Sequence, residues 1–154
     1  MSDYKRNGKQ RNTPIDLSMG HLQPQAPEVE KAVLGALMID KEAYLLICES
    51  LQPESFYEPR HQKIFDAIRQ LSIEEKPVDV LTVTEQLAKM GDLESVGGPE
   101  YIAELSSRTA TSANIEYHAK IIAEKYLSRQ LINYANSIGT KAFDETNDVN
   151  EQNL

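Results

Sequence analysis

The side chains of this 154-residue chain that could take part in chemistry are three histidines, one cysteine and many carboxylates. His21, His61 and His118 lie in different segments, and no Cys or carboxylate accompanies them at the spacing typical of zinc ligands. His61 stands at the start of an apolar helical segment, and His118 lies beside Ile115 and Ile122. We therefore interpret His61 and His118 as hydrogen-bonded packing residues, and we predict no metal site.

The remaining candidates for chemistry are explained more simply as structure. Cys48 follows Leu46 and Ile47 in an apolar segment, which favours packing over a reactive thiol and indicates a reducing compartment. The phosphate-binding patterns GxxxxGK[ST] and GxGxxG and the nucleophile pattern GxSxG do not occur in the sequence. Gly97 and Gly98 come just before Glu100, so they indicate a turn rather than an anion site. We predict no catalytic, cofactor-binding or metal-binding residue.

The net charge of −8 is spread unevenly along the chain. Residues 1–25 hold four Lys and Arg against two Asp, whereas residues 26–111 hold sixteen acidic residues against eight basic ones. Residues 111–143 are again weakly basic, with four basic residues against two acidic ones. An acidic body repels the phosphate backbone, so we expect little direct binding of nucleic acid by residues 26–111.

Composition favours an all-α protein, because helix-forming residues are dense, Trp is absent and no strand-like alternation persists. The first ten residues are polar and charged, unlike a signal peptide. The longest apolar run, 32–39, is too short to cross a bilayer. We expect a cytosolic protein without a membrane segment.

Residues 1–26 are rich in polar residues and Pro, which predicts a disordered arm that either solubilises the chain or touches nucleic acid. A helical head of about five helices is predicted for residues 27–111. Its first helix begins at Pro27 and ends near Asp40, and its second spans about 41–51, with Pro53 as the stop.

Further along the head, the run Thr82-Val83-Thr84-Glu85 indicates a capping box for a helix that ends at Gly91. A short helix follows the Gly97-Gly98 turn, and a polar loop at 106–111 leads out of the head. Apolar side chains at helical spacing predict the core. The predicted core residues are Val33, Leu34, Leu37, Phe56, Ile64, Phe65, Ile68, Leu71, Leu87, Tyr101 and Leu105.

The longest element is a helix predicted over residues 112–143, capped by Ser112 or Asn114, with 144–154 as a turn or tail. A helix of about 30 residues extends about 45 Å, whereas a head of this size is about 30 Å across. Its apolar stripe therefore needs a cover from outside the head. Tyr side chains on it, including Tyr117, suit an interface or simple packing on the head. The residues predicted for self-association are Ile122, Tyr126, Leu131, Tyr134 and Ile138.

Four blocks of sequence, in this order and spacing, carry a resemblance to a known family. They are PEVEKAVLGALMID, SFYEPRHQKIFDAI, PVDVLTVTEQLAKMGDLESVGGPEYIAEL and TSANIEYHAKIIAEKYLSRQLI. Together they closely resemble the N-terminal domain of DnaB-family replicative DNA helicases over about residues 24–149. The resemblance implies a small helical head followed by a helical hairpin, of which the long helix would be the first arm.

The resemblance also implies function. Six such domains form a collar above a ring of RecA-like motors, hairpins pair between neighbouring subunits, and the collar docks a DnaG-type primase. The chain stops where the second arm would begin, so ATP, magnesium, unwinding and the passage of single-stranded DNA are expected of a longer parent. For this chain we expect association with itself and with primase, at replication forks on the bacterial nucleoid.

Three other classes of function are considered at this point. A free-standing helical adaptor, whose long helix binds another protein's helix, fits the same amphipathic pattern. A nucleic-acid-binding module is disfavoured by the acidic body, and an enzyme acting alone is disfavoured by the missing motifs.

Overall fold

The computed structural model describes the backbone of residues 22–152 and the side chains of residues 22–145, and every regular element within this range is helical. The all-α class predicted from the sequence is confirmed. In chain order the α-helices are α1 (Pro27–Ile39), α2 (Ala43–Ile47), α3 (Pro59–Ile73), α4 (Val80–Met90), α5 (Gly98–Arg108) and α6 (Ile115–Gln152), and a 3-10 helix at Pro53–Ser55 precedes α3.

The chain divides into two compact units. Residues 22–129 form the first, here called the head unit, and the described residues of the second unit are 130–152. The division was predicted at 111–112, but the head unit also includes the first part of α6. Ile115, Ala119 and Ile122 from that part are buried in the core, which explains the later boundary.

The starts and ends of α1 and α4 follow from local chemistry. Pro27 occupies the first turn of α1, and Asp40 caps its end, as predicted. Gly91 ends α4 in the left-handed conformation, with φ of 76°, which Gly adopts without strain. The capping box of α4, however, joins Asp79 and Thr82, whose side chains each accept the other's backbone N–H at 2.9 Å. The predicted box at 82–85 is wrong, because Asp79 already caps the helix three residues earlier.

Two further boundaries differ from the predicted ones. The α2 helix begins at Ala43 rather than 41, because the carboxylate of Asp40 accepts the N–H of Glu42 at 2.9 Å and holds a turn there, and it ends at Ile47 rather than near 51. The α5 helix reaches Arg108, so it takes up part of the polar loop predicted at 106–111.

The core of the head unit lies around α1, which packs against α3 and α5. At its centre the rings of Phe56 and Phe65 meet with centroids 4.9 Å apart. All the residues predicted for the core are buried, namely Val33, Leu34, Leu37, Phe56, Ile64, Phe65, Ile68, Leu71, Leu87, Tyr101 and Leu105.

The close approach of α1 to α5 depends on a glycine. A Cβ atom at Gly35 would collide with the hydroxyl oxygen of Thr109 and with the carbonyl oxygen of Leu105. Thr109 is itself held in place, because its hydroxyl donates to the same Leu105 carbonyl at 3.1 Å. A residue with no side chain is therefore required at this point of α1.

The α6 helix continues past Phe143, where the sequence analysis placed its end, to Gln152. Neither Pro nor Gly occurs between these residues, so no helix-breaking residue stops it. Of the predicted disordered arm, residues 22–26 belong to the head unit, and residues 1–21 lie outside the described part of the chain. Residues 153 and 154 of the predicted tail also lie outside it.

Candidate self-association surface and buried polar networks

Three of the five residues predicted for self-association are exposed side chains of the second unit. Leu131, Tyr134 and Ile138 are 59%, 68% and 51% exposed. Steps of three and four residues separate them, so they lie on one face of the helix. We call these three residues the exposed apolar set. Between 130 and 145, the side chains that the structure describes include no buried one.

The other two predicted residues belong to the head unit and behave differently. Ile122 is only 1% exposed and forms part of the core, so its assignment to the uncovered stripe is wrong. Tyr126 is half-buried, with its ring centroid 5.6 Å from the guanidinium carbon of Arg129. The single stripe predicted along the long helix is therefore covered at Ile122 and uncovered at Leu131, Tyr134 and Ile138.

A buried carboxylate on α1 organises the start of α3. One Glu30 oxygen accepts the backbone N–H of Tyr57 at 2.7 Å, and the other accepts that of Glu58 at 3.3 Å and lies 2.7 Å from Nδ1 of His61. Glu30 thus supplies, from another helix, the negative charge that a helix N-terminus favours. The sequence analysis did not single out Glu30. Its spacing of three and four from Val33 and Leu34 was the signal that it faces the core.

The network continues from His61 to Tyr101. Nε2 of His61 lies 2.6 Å from the hydroxyl of Tyr101, and the guanidinium carbon of Arg60 lies 4.0 Å from the centre of the Tyr101 ring. Burial raises the pKa of Tyr101 to about 12, and the positive charge of Arg60 opposes this shift. The hydroxyl therefore stays protonated at neutral pH.

The network places a carboxylate, an imidazole and a hydroxyl in one hydrogen-bonded row. Hydrolases with a catalytic triad use the same order of groups, but the properties of Tyr101 differ from those of a nucleophile. In a triad the hydroxyl is activated as a nucleophile, whereas the pKa of Tyr101 is raised and its side chain is buried. His61 is fully buried between Glu30 and Tyr101. The arrangement fits a structural network, in agreement with the interpretation of His61 as a hydrogen-bonded packing residue.

A second buried polar network centres on Arg129, which the sequence analysis did not single out. Its two terminal nitrogens donate to the carbonyl oxygens of Pro24 at 2.8 Å and of Ser55 at 2.9 Å. Arg129 follows Ile122 and Tyr126 at steps of four and three, so its spacing placed it on the covered face of α6.

A third polar contact joins the end of α1 to the segment before α6. The hydroxyl of Ser112 donates to Asp40 at 2.6 Å. This bond, followed by the N–H of Glu42, lowers the pKa of the Asp40 carboxyl. Ser112, predicted as a possible helix cap, thus bonds to a distant side chain, and Asn114 directly precedes α6.

Searches of the described residues for two other kinds of site find none. No cluster of His, Cys, Asp and Glu in residues 22–145 is arranged to hold a metal ion. Likewise, none of the helices within the described range is both long and apolar enough to cross a membrane.

Residues 22–124 match the family described as DnaB-like helicase N terminal domain. The chain belongs to this family. The structure agrees, since it is similar to the crystal structure of the N-terminal domain of DnaB helicase from Mycobacterium tuberculosis, with a TM-score of 0.79 and 35% identity. That similarity covers 81% of this chain and 89% of the other.

Relatives of this DnaB-like domain are much longer proteins. Over 132 residues it is 48% identical to the replicative DNA helicase DnaB of Rhodothermus marinus, covering 86% of this chain and 14% of that protein. It is 41% identical to the replicative DNA helicase DnaC of Bacillus subtilis, covering 88% of this chain and 30% of that protein. The corresponding values for DnaB of Geobacillus stearothermophilus are 40%, 87% and 30%. The chain therefore spans about a seventh to a third of the curated relatives it matches.

Proposed function

We propose that this DnaB-like domain works by association, as the N-terminal collar of a replicative DNA helicase in which neighbouring subunits pair through the long helix. The observation that carries the proposal is the exposed apolar set, Leu131, Tyr134 and Ile138. These three side chains are largely exposed and lie at helical spacing on one face. Such an exposed apolar face is typical of a helix that packs against another protein.

The energy available from covering this set is sufficient for pairing but not for very tight binding. Full burial of a Leu, Ile or Tyr-sized side chain contributes about 1.5–3 kcal/mol, and each of the three is already partly covered by its own helix. The set would therefore contribute roughly 3–5 kcal/mol for each helix that it covers. Since association itself costs several kcal/mol, a pair of such helices needs additional contacts from a following helix.

The proposed collar role involves two partners, primase and single-stranded DNA, and it leaves the unwinding activity to another domain. We propose that the assembled domains dock a DnaG-type primase and that single-stranded DNA passes through the ring with little direct contact to the acidic head. ATP, magnesium and 5′–3′ unwinding would belong to a motor domain of the parent protein, because this sequence has no phosphate-binding motif. The setting would be the bacterial cytoplasm, at replication forks.

Sedimentation of two lengths of the protein tests the pairing. A version extended by the next helix of its gene should form dimers at micromolar concentration, whereas the 154-residue chain should pair more weakly. Leu131→Glu in the extended version should reduce dimerisation at least about tenfold, because it places a charge within the apolar set. The matched control is Leu81→Glu, which changes a similarly exposed leucine on α4 of the head unit and should leave pairing intact.

Each result has a clear reading. If both lengths sediment as equally stable monomers, the exposed apolar set has no pairing role. If Leu81→Glu weakens the dimer as much as Leu131→Glu, pairing occurs through the head unit. Calorimetric titration with the C-terminal domain of a DnaG-type primase tests the second partner, and absence of binding to the paired protein would contradict primase docking.

A further inference from the structure

The short segment before α1 is half-buried at residues 23–26, and among the described residues one distant side chain donates a hydrogen bond to it. Residues 22–26 contain no regular secondary structure, and Leu22 is 84% exposed. The carbonyl of Pro24 accepts a hydrogen bond from Arg129, which lies 105 residues further along the chain. Ala26 O accepts the N–H of Glu30, but this bond belongs to the first turn of α1. Within the described range, Arg129 therefore makes the one long-range hydrogen bond to the segment.

The environment of Arg129 is unusual for a buried cation. Its side chain is only 9% exposed, and its guanidinium carbon lies 5.4 Å and 5.6 Å from the ring centres of Tyr57 and Tyr126. Its hydrogen-bond acceptors are the neutral carbonyls of Pro24 and Ser55. Buried charges are normally paired with opposite charges, yet among the described ion pairs none includes Arg129.

The two acceptors of Arg129 differ in how firmly they are held. Ser55 is buried, its hydroxyl accepts the N–H of Gln52 at 3.0 Å, and it ends the 3-10 helix, so its carbonyl is fixed in the body of the head unit. Pro24 sits in a half-buried segment without regular structure. Segments with few buried contacts and few backbone hydrogen bonds open at low free-energy cost. Opening would thus occur on the side of Pro24, while the bond to Ser55 keeps the guanidinium in position.

We propose that residues 22–26 form a releasable strap, closed by Arg129, and that opening of the strap bares a guanidinium held between Tyr57 and Tyr126. Arg129 acts as a positioning residue that makes the strap part of the folded domain. The strap in turn hides a cation which has no ion-pair partner among the described residues. Nothing in the proposal depends on self-association or on primase.

Chemical modification of arginine in the full chain tests the cover. Phenylglyoxal reacts with accessible guanidinium groups, and peptide mass spectrometry gives a rate for each arginine. Arg129 should react about tenfold or more slowly than Arg108, whose side chain is 62% exposed. Loosening the strap with the double change Pro24→Gly and Gln25→Gly should raise the Arg129 rate about tenfold while the Arg108 rate stays constant. Ala110→Gly, in an exposed loop, is the matched control and should change neither rate.

The reverse test removes the side chain that closes the strap. In Arg129→Gln, the backbone amides of Leu22, Gln23 and Gln25 should become mobile. Their heteronuclear ¹⁵N NOE values should fall from values like those of α1 to the low values of a mobile peptide. Arg108→Gln, which removes only an exposed ion pair with Glu104, should leave these values unchanged. Arg129→Lys should give an intermediate effect, because a lysine reaches one carbonyl rather than two.

Several outcomes would overturn the proposal. One is an Arg129 rate that does not respond to loosening of the strap; another is a strap that keeps its order in Arg129→Gln while circular dichroism shows an intact fold. If Arg129→Gln fails to fold, two other variants test the proposal: Arg129→Lys through the mobility of the strap, and the Pro24→Gly, Gln25→Gly chain through the modification rate of Arg129. An unchanged strap in the lysine variant, together with an unchanged modification rate, would then refute the idea.

Discussion

The head unit and the second unit contain the same kind of apolar sequence pattern, but on α6 its side chains are buried in the head unit and exposed in the second unit. Ile122 and Ile138 both lie on α6, and both belong to apolar series with steps of three and four. Ile122 is 1% exposed, whereas Ile138 is 51% exposed. Helical periodicity therefore identifies an apolar face, but it does not tell whether the chain itself supplies the cover.

This difference has an energetic meaning. In the head unit, apolar side chains from all the α-helices pack into one buried cluster, and every buried side-chain nitrogen and oxygen of the described residues has a hydrogen-bond partner. In residues 130–145 of the second unit the described side chains leave their apolar face in water. Most of the stability of helices in proteins comes from packing of an apolar face, so a helix with an open apolar face gains stability when a partner covers that face.

Replacing each of the two isoleucines by alanine should give the largest contrast. Ile122→Ala leaves a cavity in a packed core and should lower the free energy of unfolding by about 2–5 kcal/mol. Ile138→Ala removes an exposed side chain and should change it by less than about 0.5 kcal/mol. Denaturant unfolding of the 154-residue chain, followed by circular dichroism, measures both. Equal losses in the free energy of unfolding from the two variants would show that Ile138 is also covered. The contrast between the two units would then be wrong.

Much of the head unit could be predicted from its sequence because its signals are local. Val33, Leu34 and Leu37 follow the helical period, Pro27 and Gly91 mark helix ends, and the structure places all of them as expected. These features depend on neighbours within a few residues, so a single sequence contains the information.

The parts that were missed depend on partners far away along the chain. Glu30 bonds to the backbone of Tyr57, 27 residues away, and Arg129 bonds to Pro24, 105 residues away. The spacing of each charged residue from its apolar neighbours indicates a covered helix face. It does not identify the hydrogen-bond donors and acceptors that the charged group meets there. Ile122 was misassigned for a related reason, because covered and uncovered faces have the same period.

Two helical glycines extend the comparison to the backbone. Gly35→Ala should destabilise the head unit by about 1–3 kcal/mol, because the new Cβ meets Thr109 and a backbone carbonyl that cannot move freely. Gly139→Ala in the second unit should instead stabilise its helix by about 0.5–1 kcal/mol, since nothing lies within 4 Å of the new atom. Unfolding curves measure the first effect, and helical ellipticity with amide exchange near residue 139 measures the second.

The opposite signs are what matter for the two glycines. A gain of stability in Gly35→Ala would mean that α1 and α5 can separate without loss, so the head unit would be less tightly packed than its core indicates. A loss in Gly139→Ala would reveal a close neighbour for this face of the second unit. Thr109→Ser, which keeps the hydroxyl beside Gly35 and removes only a methyl group, is a control for changes on the α5 side.

A pH-dependent effect concerns the buried polar network of Glu30, His61 and Tyr101 in the head unit. Because burial raises the pKa of Tyr101 to about 12 in the folded chain, the folded state holds this proton more tightly than the unfolded state does. Its contribution to stability is then complete below pH of about 10, the ordinary pKa of tyrosine, and is lost as the pH rises toward about 12. The expected loss over this window is on the order of 1–2 kcal/mol.

Tyr101→Phe separates this effect from the titration of lysines in the same range. The variant loses the hydrogen bond to His61 at every pH, so its stability is lower at neutral pH, but its alkaline decline should be shallower than that of the parent chain. Urea midpoints between pH 8 and pH 11 give both slopes. Identical slopes would mean that Tyr101 ionises as easily in the folded chain as in the unfolded one. The network from Glu30 through His61 would then be open to water, and the polar core of the head unit would no longer set it apart from the second unit.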